Sequence, residues 1–260
     1  MVGFSGVVLD VDGTLIRGSE PIPGAIEAVE RLRSAGLAVA FVSNNPIRTR
    51  EAYRDRLASV GFSLDAEELI TAGTVTAQHL ARERGDETFY VIGEDGLYEQ
   101  LHGAGLELTE AYDRADTLVA SIDRGFDYET LTHALWALSN PEVRFVGTDP
   151  DRTIPTEDRE VPGSGAIINA VAGVTGREPD AIMGKPAPTA VEALERTLGV
   201  DAAECLIVGD RLDTDIAMGE RAGMTTALVH TGVTDGRALD ASEFEPDHVL
   251  DSIAEIGRVL

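Results

Sequence analysis

Short continuous apolar runs alternate along this chain with longer stretches whose apolar residues recur every three or four positions. Residues 4–9 are apolar and β-branched and predict a strand, while Pro23-Gly24 opens a stretch with Ile26, Val29 and Leu32 at helical spacing, closed by Gly36. The run LAVAFVSNN, residues 37–45, predicts a second buried strand ending in small polar residues, and the helical period of 48–60 stops at Gly61. The pattern returns near the far end as helix 188–198, strand 205–210, helix 213–222 and strand 225–229. Continuous apolar strands alternating with helices predict an α/β fold, a doubly wound, Rossmann-like parallel sheet covered on both faces.

The middle of the chain has its own rhythm. Strands at 88–92, 117–121 and 143–146, separated by helices near 96–101 and 128–138, predict a second, smaller α/β unit. It is placed at residues 79–179, inserted between core halves 1–78 and 180–260. No internal repeat or low-complexity segment interrupts this plan.

In a parallel sheet, ligands bind at the carboxyl ends of the strands. The first strand ends in Asp10, Val11 and Asp12, the second in Ser43 and Asn44, and CLIV in Gly209 and Asp210 with Asp215 soon after; Lys185 follows 181–184. Taken singly, each is compatible with a turn or a helix-capping carboxylate. D-x-D-G also opens a calcium loop, but that loop needs a further oxygen ligand before the glycine and a helix upstream. Carboxylates, a hydroxyl and an ammonium at several ends of one sheet form a metal-and-phosphate ligand set rather than one suited to hydride transfer.

Composition narrows the partners. The 260 residues carry a formal net charge of -25, which excludes a nucleic-acid backbone or an anionic membrane as the ligand surface. One cysteine, Cys205, and no long apolar run predict a cytoplasmic protein without disulfides. Of its 21 basic residues only Lys185 is lysine. An acidic, nearly lysine-free surface suits a halophilic cytosol, although an acidic protein of an ordinary cytosol has the same composition. A lone lysine in such a chain points to work an arginine does not do: a compact ammonium holds phosphate and carboxylate as a point charge, without the width of a guanidinium.

In order, DVDGTL, the SNN strand end, GKP and GDRLDTDI resemble the four motifs of the haloacid dehalogenase superfamily of phosphohydrolases. The long insertion, with SNNPIRTRE, PTEDREVPGSG and GDRLDTDIAMGERAG, is similar to the p-nitrophenylphosphatase and phosphoglycolate phosphatase subfamily, whose cap is an α/β domain. The resemblance implies Mg²⁺-dependent hydrolysis of a small phosphorylated metabolite through an aspartyl phosphate. It implies Asp10 as nucleophile, Asp12 as general acid and base, and Ser43 and Lys185 as the phosphate-binding pair, with Asn44 beside them. Asp10, the Asp12 carbonyl and Asp210 would hold the metal, and Asp215 would orient Lys185 or the metal's waters.

Two positions depart from that pattern: Ser43 stands where threonine is frequent, and Asp149 in VGTDPDRT where asparagine is expected. Asp149 and Asp151 belong to the loop expected to contact substrate. A phosphotransferase or mutase of the same superfamily is the alternative, and a receiver-like phosphoprotein the alternative from another class. Asp12 argues against the latter, since an acid and base beside the nucleophile would hydrolyse the phosphate signal. Partners beyond the substrate are limited to further copies of the chain.

Other features predict less. Gly163-Ser164-Gly165 lacks the strand and third glycine of a dinucleotide loop, so Ser164 is expected to cap a helix at 166–171. His79, His102, His133, His230 and His248 show no metal-ligand spacing. Cys205 is expected in the core, and Trp136, among Leu131, Leu135 and Leu138, in the core of the insertion.

Overall fold

A computed structural model describes residues 3–155 and 159–260. Its main strands are β1 (Gly6–Asp10), β2 (Ala38–Ser43), β3 (Leu69–Thr71), β4 (Thr88–Ile92), β5 (Glu107–Thr109), β6 (Thr117–Ala120), β7 (Arg144–Gly147), β8 (Ala181–Ile182), β9 (Cys205–Gly209), β10 (Thr225–Val229) and β11 (His248–Leu250). The helices are α1 (Ala25–Ser34), α2 (Arg50–Ser59), α3 (Ala72–Arg84), α4 (Asp95–Gly103), α5 (Tyr128–Leu138), α6 (Ser164–Thr175), α7 (Pro188–Leu198), α8 (Ala217–Ala222) and α9 (Gly236–Asp240). They form two compact units. One comprises Met1–Ser43, Arg50–Ile70 and Lys185–Leu260; the other comprises Asn44–Thr49 and Thr71–Gly184.

The first unit is built on a six-stranded sheet of order β11-β10-β9-β1-β2-β3. Its registered pairs are parallel, with Gly6 opposite both Cys205 and Ala38. β1 is central and buried along its whole length, which is why it reads as a continuous apolar run. Val7 and Leu9 pack in one cluster with Val29 and Leu32 of α1 and with Ile253 and Ile256 near the C-terminus. Val8 points the other way by strand alternation. α7 carries a proline in its first turn and stops at Gly199, whose φ of 69° is the left-handed conformation of a helix C-terminus. Cys205 is buried at the start of β9, and burial pushes its thiol up to about 11.

The second unit has a five-stranded parallel sheet of order β8-β7-β6-β4-β5. Phe145, Leu118, Ile168 and Val171 centre its core. It is wider than residues 79–179 at both ends, because it takes in all of α3 and β8. α3 follows a capping box in which Thr71 and Thr74 each bond the other's backbone N–H, at 3.1 and 2.9 Å.

The helix expected at 213–222 is divided. A π-helical turn, Leu212–Ile216, precedes α8 and turns Asp215 inward while Asp213 faces solvent. Of PTEDREVPGSG, residues 156–158 lie outside the described residues. Among the described residues no helix is long and apolar enough to cross a membrane.

Candidate active site

β1, β9 and the π-helical turn deliver carboxylates to one place in the first unit. Asp10 closes β1 and is buried; beyond it the chain turns tightly, with Gly13 N–H bonded to the Ile16 carbonyl at 2.8 Å. Gly13 has φ +100°, and a Cβ there would lie 2.5 Å from Asp210 Oδ2, so both backbone and space require glycine. Gly209 makes similar room: its Cβ would come within 2.3 Å of the Asp215 side chain.

Lys185 joins the group. Its Nζ donates to Asp10 Oδ1 and to Asp215 Oδ1, both at 2.6 Å, and all three residues are buried. Asp215 Oδ2 accepts from the Arg211 N–H at 3.0 Å, so both its oxygens are engaged. Asp210 Oδ2 accepts from the Val233 N–H at 2.7 Å. Asp10 Oδ2 and Asp210 Oδ1 are buried and have no hydrogen-bond partner among the described residues. An unsatisfied buried acceptor costs on the order of 1–3 kcal/mol, more when charged.

Three carboxylates facing one ammonium leave this pocket with excess negative charge. Burial, opposed by Lys185 and reinforced by Asp215 and Asp210, holds the Asp10 carboxyl well above the usual range. Burial and then Asp215 push Asp210 up to about 6. For Lys185, burial disfavours the charge, but Asp10 and Asp215 outweigh it and raise its pKa. A hard divalent cation fits this set: one oxygen each of Asp10, Asp210 and Asp215 lies within 4.8 Å of the others, all are oxygen donors, and two open acceptors would be satisfied by it.

Asp12 faces elsewhere, toward α2. Its Oδ2 accepts from the Tyr53 hydroxyl, and its Oδ1 accepts from Arg56 Nη2 at 2.9 Å. Tyr53 is fully buried and its hydroxyl also meets Ser43 Oγ at 3.0 Å. Burial, then the Asp12 charge, holds the Tyr53 phenol well above its usual range, so it stays a protonated donor. Tyr53 and Arg56 were not legible as site residues. Their spacing of three on α2 puts both on one helix face, but nothing local shows that this face meets Asp12.

Asn44, Asp149 and Asp151 belong to the second unit, where Asn44 Nδ2 donates to Asp151 Oδ1 at 3.2 Å. Asp149 is 2% exposed. Its carboxylate accepts from the Thr148 hydroxyl at 3.0 Å and the Asp151 N–H at 3.3 Å, and the Ser164 hydroxyl also bonds it. Ser164 is therefore no N-cap: Gly163 holds that position, α6 runs from Ser164, and the Ser164 Oγ accepts the Ile122 N–H at 3.1 Å. Trp136 is half-exposed rather than core. α5 buries Ala134, Ala137 and Leu138, which rotates Trp136 outward against Tyr112 and His133.

Residues 7–107 match the haloacid dehalogenase-like hydrolase model, and residues 182–256 match a second, HAD-hydrolase-like model. The chain is 38% identical over 255 residues to the 5'-nucleotidase YutF of Bacillus subtilis, covering 98% of each protein. It belongs to the haloacid dehalogenase-like hydrolases. The Bacillus subtilis sugar-phosphatase AraL is 33% identical over 99% of this chain and 94% of its own. Among solved structures of this family, the p-nitrophenyl phosphatase from Archaeoglobus fulgidus superimposes with a TM-score of 0.93 at 38% identity, covering 99% of both chains. The relatives are phosphatases matched nearly end to end, and this member is a phosphoric monoester hydrolase.

Burial, with Asp151 nearby, raises the Asp149 carboxyl to about 7 against the opposing hydrogen bonds from Ser164 and Thr148. The folded chain therefore keeps a proton that the unfolded chain, with an ordinary value of about 3.9, sheds earlier. Its contribution to stability is full below about pH 4 and is lost as pH rises through about 7. Asp149→Asn mimics the neutral carboxyl and should unfold at a higher temperature than the parent at pH 8, with a smaller difference between pH 5 and pH 8. Thermal melts of both proteins measure this, and the effect is at most a few kcal/mol.

Proposed function

We propose that this chain is a Mg²⁺-dependent phosphatase of small phosphorylated metabolites that works through an aspartyl phosphate on Asp10. The observation that carries the reading is the Lys185 ammonium bonded to Asp10 and Asp215, beside the two buried, open oxygens of Asp10 and Asp210. Asp10 and Asp210, with the Asp12 carbonyl, would hold the metal, which when bound offsets phosphoryl charge and helps align the attack.

In the first half-reaction a carboxylate oxygen of Asp10 bonds to phosphorus, the bond to the leaving oxygen breaks, and a proton passes from Asp12 to that oxygen. In the second, water attacks the same phosphorus, the Asp10–phosphorus bond breaks, and Asp12 takes the water's proton. Lys185 and Ser43 bind the phosphoryl oxygens. Asp215, both of whose oxygens are engaged, orients Lys185 rather than the metal.

The second unit is assigned the part of a cap that selects the leaving group, through Asn44 and Asp151, with Asp149 supporting the loop from beneath. Its α/β architecture and buried Asp149 support that division of roles. The acidic, lysine-poor composition supports a surface adapted to high salt, and the reading as a whole supports a cytoplasmic enzyme.

The test is phosphate release from 5'-nucleotides, sugar phosphates, phosphoglycolate and p-nitrophenyl phosphate, at molar KCl, with Mg²⁺ or with chelator. Turnover is expected with Mg²⁺ and not with chelator. Asp10→Asn should lower it by at least about a thousandfold while the circular dichroism spectrum stays unchanged. A folded Asp10→Asn protein with substantial turnover would remove the nucleophile.

Lys185→Arg asks whether the lone lysine is needed as a lysine. The wider guanidinium must fit between two carboxylates whose oxygens are each 2.6 Å from a single nitrogen. kcat/KM should fall at least about tenfold, or about 1.4 kcal/mol of transition-state stabilisation. Unchanged kinetics would make the lysine incidental.

A further inference from the structure

The clasp around Asp12 joins two groups to which the proposed function gives separate tasks. A hydrogen-bonded path runs from Arg56 through Asp12 and Tyr53 to Ser43, linking the acid and base to the phosphate-binding hydroxyl. Tyr53 is its hinge. A phenol donates one proton, so while Tyr53 donates to Asp12 it can only accept from Ser43. In that arrangement the Ser43 hydroxyl proton is turned toward Tyr53 and away from a phosphate.

An arriving phosphoryl oxygen needs the Ser43 proton. Once Ser43 turns to donate to it, its oxygen becomes an acceptor toward Tyr53, whose proton can move from Asp12 to Ser43 over a contact already 3.0 Å long. Arg56 has a second partner too: its Nη2 also donates to the Gly18 carbonyl at 2.8 Å, so it keeps a bond when Asp12 turns away. Both donors therefore keep a partner when Asp12 leaves.

We propose that Tyr53 and Arg56 are positioning residues that hold Asp12 in the resting site, and that Tyr53 couples phosphate capture at Ser43 to the release of Asp12 toward the leaving group. This rests on the roles given above to Asp12 and Ser43. The coupling makes the acid available when a phosphoryl group is in place and parks it otherwise.

The experiment compares kcat and KM of Tyr53→Phe, Arg56→Gln, Arg56→Lys and Asp12→Asn on an alkyl phosphate and on p-nitrophenyl phosphate, whose leaving group needs little protonation. Tyr53→Phe and Arg56→Gln should lose about tenfold in kcat on the alkyl ester and under about threefold on the nitrophenyl ester, part of what a general acid supplies. KM should change little, and Arg56→Lys should recover part of the loss. Arg54→Gln, on the same helix but paired with the exposed Asp55, should match the parent.

Equal losses on both esters in Tyr53→Phe and Arg56→Gln would overturn the proposal, as would the same loss in Arg54→Gln. Should Tyr53→Phe fail to fold by circular dichroism, the partly exposed Arg56 pair decides alone. Asp12→Asn separates the two layers. If it shows no preference between the esters, the acid role itself fails; if it does and the Tyr53 and Arg56 variants do not, only the coupling fails.

Discussion

The paired Lys185 ammonium is the constraint on which the first unit depends. A buried ammonium is costly unless carboxylates surround it, and buried carboxylates are costly without a cation; breaking such a pair by removing one member typically costs 3–5 kcal/mol. Each partner therefore fixes the others. β1 must end at Asp10, the GKP stretch must present Lys185, and the turn after β9 must fold Asp215 inward. The π-helical turn before α8 carries Asp215 to that ammonium. The glycines follow as well: Gly13 and Gly209 stand where any side chain would collide with a carboxylate.

Much of this was legible because parallel strands buried on both faces leave a plain record. The observed 88–92, 128–138, 188–198 and 225–229 coincide with the expected elements, and the chemistry stands at the strand ends where an open α/β sheet puts it. The lone lysine was a compositional signal, readable because the chain otherwise uses arginine. α3 escaped notice because its first half is buried nearly all round and is built of Ala, Gly, Thr and Val, so no apolar stripe separates from a polar one. Trp136 misled because leucines at helical spacing do not say which side of a helix faces inward. Tyr53, Arg56 and the inner bonds of Asp149 are tertiary facts. Their partners are distant in the chain or set by loop geometry, and no local pattern carries them.

The buried carboxylates of the two units are handled differently. In the first, the carboxylates outnumber the cation and two acceptors stay open, an arrangement stable only with a further positive charge or a proton. In the second, Asp149 is met by hydroxyls and a backbone N–H, neutral donors that reduce the cost of burial without cancelling it, and its carboxyl rises to about 7. The first pattern suits binding and catalysis, where an unmet demand is satisfied by a ligand. The second suits a support, satisfied from within.

Asp12 belongs to neither pattern, and this bears on how one carboxyl can serve as acid and base in succession. Its side chain is partly exposed, yet both oxygens are held by donors from a single helix. A fixed carboxylate would be held away from the leaving group, and a loose one would spend most of its time misdirected. Donors that each have a second acceptor within reach, the Ser43 hydroxyl for Tyr53 and the Gly18 carbonyl for Arg56, avoid both faults. They hold the group without trapping it, since Tyr53 can pass its hydrogen bond to Ser43 and Arg56 keeps its bond to the Gly18 carbonyl when Asp12 leaves. The same economy explains a fully buried tyrosine at this place: phenylalanine would fill the volume, but only a hydroxyl can pass a hydrogen bond from one neighbour to the other.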